Sequence, residues 1–164
     1  CMAVQRVVSY LKSLEIPFEV VQHPIAFSAL AISDLCHIKP ENIAKVVIAS
    51  SGSNELMLVI GANQEVDFAK FTHKTGIKAT LASEREFSYD FPDCEVGAMP
   101  PFGVLYDMNV YVSEELSNQS EIYFNAGNHS ELIKMRWLDY KKVVQPQIID
   151  FCLSEPKSRI LPSI

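Results

Sequence analysis

The chain has 164 residues, enough for one domain with a sizeable core. It is 48% hydrophobic and 21% charged, and no apolar run approaches the ~20 residues needed to cross a bilayer, so it reads as an ordinary globular protein with no membrane partner. A net charge of −6, from 14 basic and 20 acidic residues, argues against DNA or any other broad nonspecific nucleic-acid surface and leaves room only for a small basic patch.

Val4, Val7, Val8, Leu11 and Leu14 recur at helical spacing and predict a first helix over Ala3–Leu14. Gln5, Arg6, Ser9 and Lys12 interrupt this run, which is therefore not read as a signal peptide. Pro17 closes it, and Phe18–Val21 predicts a short strand. Ser28 is a plausible N-cap for a second helix ending near Cys36, with Pro40 beyond it. Val46–Ala49 and Leu56–Ile60 predict two strands joined by the turn residues Ser51-Gly52-Ser53-Asn54. Asp67 is placed to cap a helix through Lys74, and Ser83 with Glu86 has the capping-box spacing for a short helix over Glu84–Tyr89. After a Gly/Pro loop, Asn109–Val112, Glu121–Phe124 and Leu132–Met135 predict strands. Trp137–Lys142 and Gln147–Leu153 predict helices, and Pro156 begins a loose tail. Strands mixed with helices, without regular alternation, predict a single α+β domain over residues 1–155 around a mixed sheet, followed by a tail at 156–164.

Cys1 precedes Met2, the arrangement expected of a cloning remnant, and carries no functional reading. Cys36, Cys94 and Cys152 are far apart with no CxxC pair, the pattern of reduced thiols in a cytoplasmic protein. His23, His37, His73 and His129 lack metal-ligand spacing, so no metal and no cofactor are expected. Nucleophile elbow, phosphate-binding loop and dinucleotide fingerprint are all missing. Four features remain. Lys45 precedes the apolar run Val46-Val47-Ile48-Ala49. The heptad Gly97-Ala98-Met99-Pro100-Pro101-Phe102-Gly103 combines conformational freedom at its ends with fixed φ at its prolines, a stiff loop suited to hold an oxygen-rich ligand or a developing oxyanion. Phe124-Asn125-Ala126-Gly127-Asn128-His129 reads as a strand running into a tight polar turn. A basic run, Lys134, Arg136, Lys141 and Lys142, is either a wet face or a phosphate-facing patch.

Taken in order, His23-Pro24, Ala44-Lys45-Val46-Val47-Ile48, Val66-Asp67-Phe68, the G-x-x-x-P-x-G of Gly97, Pro101 and Gly103, and Phe124-Asn125-Ala126-Gly127 followed by His129 resemble the YbaK/prolyl-tRNA synthetase-associated family of aminoacyl-tRNA deacylases. The resemblance covers about Val4 to Val144. It implies a curled, partly barrel-like mixed sheet flanked by helices, and trans-editing hydrolysis of the ester that joins a wrong amino acid to tRNA. It implies catalytic roles for Lys45 and Gly97, and substrate contacts from His23, Phe27, Ala98, Pro101, Phe102, Gly103, Asn125, Gly127 and His129. The partners it implies are the acceptor end of an aminoacyl-tRNA and, for delivery, an aminoacyl-tRNA synthetase.

Such an ester is already reactive, so positioned water and donors aimed at the oxyanion can replace a covalent nucleophile. Lys45 is then expected to orient substrate and balance negative charge, with the neighbouring ribose hydroxyl helping to activate water. Val21 stands where cysteine-specific members carry tyrosine, and Leu132 beside Glu131 where they carry aspartate. His129 instead resembles the N-A-G-x-H branch, which implies tRNA-Pro carrying alanine or another small amino acid. A non-catalytic module that recognises a tRNA end, a nucleotide or a protein is the alternative, and an intact Lys45 with an intact loop favours the enzyme.

Overall fold

Ile43, Lys45, Val47 and Ala49 alternate with Ala44, Val46 and Ile48 along a strand, β2 (Ile43–Ser51), that is largely apolar on both faces. A strand of that kind must be covered from both sides, and β2 lies inside an eight-stranded mixed sheet. This computed structural model describes residues 2–154 apart from Val96, with backbone alone for residues 2–4. The tail expected at 156–164 lies outside the described residues.

The sheet combines β2 with β1 (Glu19–Gln22), β3 (Asn54–Gly61), β4 (Thr80–Leu81), β5 (Asn109–Ser113), β6 (Glu121–Asn125), β7 (Glu131–Arg136) and β8 (Gln147–Ile149). Its order is β1-β7-β6-β2-β3-β5-β8, with β4 paired only to β2. Gly52, at φ +62°, makes the turn between β2 and β3. The helices are α1 (Met2–Ser13), α2 (Ala29–Cys36), α3 (Phe68–Thr75), α4 (Glu84–Phe87), α5 (Glu114–Ser117) and α6 (Trp137–Val144). This is the expected α+β arrangement of a mixed sheet flanked by helices, and the sheet is not closed into a barrel. Among the described residues no helix is long and apolar enough to cross a membrane.

The two faces of β2 are covered differently. Ala44 and Ile48, joined by Val46, enter a large core with Val7 and Leu11 of α1, Met57, Val59, Val112, Phe124, Ile133 and Tyr140. On the other face Val47 and Ala49 pack with Leu58, Ile60, Phe71 of α3 and Phe151. Ile43 joins Ile32 of α2, Ala26 and Leu132 in a third, smaller cluster. Lys45 projects from this second face, between the two smaller clusters.

The caps follow the expectations closely. Ser28 accepts from the Ala31 amide at 3.1 Å and Asp67 from the Lys70 amide at 3.0 Å. Ser83 and Glu86 form a reciprocal capping box, although α4 ends at Phe87 and a 3-10 turn replaces its predicted last residues. One expectation is corrected. Gln147–Leu153 is not a helix. Gln145 adopts a left-handed φ of +52° and closes α6, Pro146 follows it, and Gln147–Ile149 then pairs in parallel with β5. The β-branched Ile148 and Ile149 suit that edge, where Ile148 packs on the large core and Ile149 on the α3 side.

Candidate functional site

The β2 ladder is interrupted at Lys45. On one edge β2 pairs continuously with β3, from Ala44–Gly61 to Ser51–Asn54. On its other edge it pairs in parallel with β6 only at Ile43 and Ala44, and antiparallel with β4 only at Ala49 and Ser50. Lys45, Val46 and Val47 therefore have no strand neighbour on that side, and the sheet splits beside the lysine.

Carrying the β2–β6 register one residue past Ala44–Phe124 sets Lys45 level with Asn125. Partners in register share a face, and the cores confirm which one. Ala44 and Phe124 both enter the large core, whereas Ile43 and Tyr123 both border the α2 cluster. Asn125 pairs in turn with Leu132, and Lys45 with Ile60. One transverse row thus reads Leu132, Asn125, Lys45, Ile60, two polar residues between two buried apolar ones. Among the described residues Lys45, half-buried, makes no hydrogen bond or ion pair. The Asn125 Oδ1 atom is fully buried and accepts no hydrogen bond among those residues. Burial pushes the Cys152 thiol up to about 12, with Asp150 and Glu115 adding, while Lys70 and Lys45 pull it back.

Beyond Asn125 the chain turns through Ala126, Gly127 (φ +110°), Asn128 and His129. The Asn128 carboxamide oxygen accepts from the Ser130 amide at 2.9 Å, and its nitrogen donates to Glu131 at 2.8 Å, which fixes the turn. The Gly97 loop docks against it. The Gly127 amide donates to the Ala98 carbonyl at 2.8 Å, and the Glu95 amide to the Gly127 carbonyl at 2.7 Å. A Glu95 carboxylate oxygen also accepts from the His129 amide at 3.0 Å. Gly97 is exposed at φ +85°, and a Cβ there would sit 3.6 Å from the His129 ring. The segment after β1 straps the turn from the other side, through His23 N–H to Ser130 O at 2.9 Å and Ala26 N–H to His129 O at 3.1 Å. Phe27, 76% exposed, lies with its ring 4.9 Å from that of buried His129. Ile25, Phe27, Glu95, His129 and Ser130 line a cavity of about 490 Å³.

His23, Phe27, Gly97, Ala98, Gly127 and His129 are brought together by these contacts, and Asn125 and Lys45 join them through the register. His23 is buried, and its Nδ1 lies 2.7 Å from the Pro24 carbonyl. An acceptor there requires the proton on Nδ1, and Nε2 is buried with no partner among the described residues. Pro101, Phe102 and Gly103 lie deeper. Phe102 is fully buried, edge-on to Tyr10 and Tyr140 and 5.3 Å from Phe124. The buried Tyr140 hydroxyl donates to the Pro101 carbonyl at 2.6 Å. A side chain at Gly103 would collide with the Met108 carbonyl and Val110. These three residues anchor the loop from the core side. The Ala98 amide is already committed to the Glu95 carbonyl at 3.0 Å.

Glu95 has no counterpart among the sequence candidates. Its only sequence signal is an acid two residues before Gly97, which any loop could show. The basic run is also largely self-neutralised. Lys134 pairs with Glu19 and Glu121, and Arg136 with Asp139, leaving Lys141 and Lys142 at the end of α6. Among the described residues no three His, Cys, Asp or Glu side chains are grouped to hold a metal ion.

A family model described as the aminoacyl-tRNA editing domain matches residues 23–143. A curated Escherichia coli K12 protein named multifunctional Ser/Thr-tRNA deacylase ProXp-y is 28% identical over 153 residues, covering 90% of this chain and 91% of that one. A solved structure described as a candidate trans-editing enzyme for prolyl-tRNA synthetase superposes with a TM-score of 0.81 at 18% identity, covering 93% of this chain and 98% of the other. A scaffold protein used for computational epitope grafting gives the same TM-score of 0.81 at 16% identity, covering 93% and 98%. At these identities the structural matches establish the fold.

Proposed function

This chain belongs to the aminoacyl-tRNA editing domain family, and on that premise we propose that it is a trans-editing deacylase hydrolysing the ester of a small amino acid wrongly attached to tRNA, by a Lys45-dependent route that needs no metal. The observation that carries the reading is Lys45 itself. It is a half-buried ammonium without hydrogen bond or ion pair among the described residues, at the one place where β2 loses its strand neighbour. A partly buried charge with no counter-ion is completed by a negative group that visits it.

Water adds to the ester carbonyl carbon, charge builds on the carbonyl oxygen, and the ribose oxygen leaves with a proton to regenerate the tRNA end. Lys45 balances the developing charge, and the neighbouring ribose hydroxyl helps activate the water. The Gly97–Ala98 backbone borders the ester, with Glu95 and Gly127 holding that loop in place. Phe27 and His129, whose tilted rings touch in the wall of the cavity, contact the terminal nucleoside and amino acid, and His23 Nε2 offers a buried polar atom. The cavity of about 490 Å³ suits a small substrate portion, not an entire nucleic-acid face. With a net charge of −6 the protein engages only the acceptor end, weakly and with strong salt dependence, and a synthetase improves delivery.

The resemblance to the N-A-G-x-H branch points to alanine on tRNA-Pro, and the Escherichia coli relative, by its name, acts on seryl- and threonyl-tRNA. A deacylation panel with Ala-, Ser-, Thr-, Cys- and Pro-charged tRNA, with and without a chelator and beside Lys45→Ala, tests the proposal. The expected result is chelator-insensitive cleavage of small aminoacyl esters that drops about 10²–10³-fold in Lys45→Ala, the size of effect seen when an oxyanion partner is removed. Cleavage no faster than spontaneous loss, or a fully active Lys45→Ala, overturns it.

A further inference from the structure

Among the described residues that line the cavity of about 490 Å³, Glu95 is the one carboxylate, and no lysine or arginine stands beside it. Resting on the deacylase reading, we propose that Glu95 is a specificity-determining residue whose carboxylate takes the α-ammonium of the aminoacyl ester. The site then cleaves esters that carry a free α-amine and discriminates against those in which that charge is missing.

The loop holds this carboxylate in a fixed place. The Glu95 amide donates to the Gly127 carbonyl at 2.7 Å, and the Glu95 carbonyl accepts from the Ala98 amide at 3.0 Å. One carboxylate oxygen accepts from the His129 amide at 3.0 Å, and the other has no hydrogen-bond or ion-pair partner among the described residues. The rest of the wall suits a cation. Phe27, 76% exposed, lines the same cavity, and an aromatic ring attracts an ammonium group as a carboxylate does. A tRNA phosphate is repelled by the carboxylate, so the nucleic-acid backbone gains nothing here. At the end of a tRNA that bears a small amino acid, the cationic group is the α-ammonium. Gly97 stands two residues on, and a Cβ there would lie 3.6 Å from the ring of His129, whose amide holds the carboxylate. The ester carbonyl carbon is two bonds from the α-ammonium nitrogen. Fixing that nitrogen therefore sets the carbonyl beside the backbone that the proposed function assigns to it. Peptidyl and other N-acylated ends lack the charge, lose this anchor and are poor substrates.

The test pairs each aminoacyl-tRNA that the wild type cleaves with its α-hydroxy analogue on the same tRNA, lactyl for alanyl and glyceryl for seryl. A hydroxyl of similar size there replaces the ammonium. Values of kcat/KM are measured at about pH 6.5, where an α-amino group is protonated, and each is divided by the spontaneous hydrolysis rate of the same ester. Glu95→Gln keeps an oxygen for the His129 amide and removes the charge, whereas Glu95→Ala removes both. Each ratio is taken within a single preparation, so partial unfolding of a variant cancels. The wild type is expected to favour the amino ester by about 10- to 100-fold, the size of a lost charge-assisted hydrogen bond. Glu95→Gln should bring the ratio close to one by slowing the amino ester alone, with the melting temperature unchanged. Glu95→Ala should give the same ratio with both esters slowed. Lys45-dependent cleavage with a wild-type ratio near or below one, or a ratio that survives in both variants, overturns the role of Glu95 and leaves the deacylase intact. No cleavage of any aminoacyl ester by the wild type overturns both.

Discussion

Two polar clusters in this molecule are built on opposite terms. Under α1, Arg6 pairs with Asp93 at 3.2 Å, donates to the Leu105 carbonyl at 2.6 Å and lies 4.8 Å from the centre of the Tyr106 ring. The Tyr106 hydroxyl donates to Asp93 at 3.3 Å and lies 3.4 Å from the Cys94 sulfur. Each of these four side chains has a protein partner, and burial pushes the Cys94 thiol up to about 11, which keeps it protonated and inert. Lys45 and Asn125 have no such partners among the described residues. Both clusters are partly buried, so burial alone does not separate them. What separates them is completeness: a satisfied network fastens the scaffold, and on the proposed function the unsatisfied pair awaits a ligand.

The largest effect that tests this contrast is Lys45→Ala, with its expected 10²–10³-fold loss of activity. The same substitution should leave the melting temperature unchanged or slightly raised, because it removes an uncompensated charge and no contact that fastens one element to another. A loss of activity that merely follows a loss of stability would remove the distinction between the clusters. Asp93→Ala should behave in the opposite way. It strips Arg6 of its ion pair and the Tyr106 hydroxyl of an acceptor, and should cost about 1–3 kcal/mol in denaturant unfolding. Residual deacylation per folded molecule should be nearly intact. A fall in activity without loss of stability would mean that the scaffold cluster also serves the chemistry, through Cys94 and Glu95 to the Gly97 loop.

The sequence carried much of this arrangement. Caps at Ser28, Asp67 and Ser83 were legible because capping depends on a residue and its neighbours three positions on. Lys45, Gly97, Asn125 and His129 were legible as an ordered set, although no spacing among them shows that Lys45 and Asn125 lie side by side. That juxtaposition comes from a parallel pairing between strands about eighty residues apart, and from the switch of β2 from β6 to β4, neither of which leaves a local signal. Gln147–Leu153 failed for a related reason: a short apolar run fits a helix or a strand, and the free edge of β5 decided it. Phe102 shows the limit of a motif. An apolar residue inside a candidate ligand loop reads the same whether it faces the proposed ligand or, as here, the core.

A third polar group, away from the Lys45 row and in a hollow that Tyr106 also lines, sharpens the comparison by pH and has the smallest expected effect. Glu55 lines a hollow of about 820 Å³ beside the β2–β3 turn, together with Asp90 and Asp107, whose carboxylates make it a poor seat for tRNA phosphate. Burial pushes the Glu55 carboxyl up from 4.5 to about 7, and the nearby Asp90 and Glu86 push it in the same direction. Below pH 4.5 this group is protonated in both folded and unfolded chains and contributes no pH dependence. Between 4.5 and about 7 the unfolded chain releases the proton while the folded one retains it, so stability falls as pH rises through that window and the full cost is present above it. Glu55→Gln should flatten this slope and raise stability at pH 8 by about 1 kcal/mol after allowance for solvent screening. The pH profile of deacylation should keep its shape, because the hollow lies away from the Lys45 row. If the profile moves with Glu55→Gln, the acidic hollow is coupled to the site, and the division between scaffold and ligand-completed clusters must be redrawn to include it.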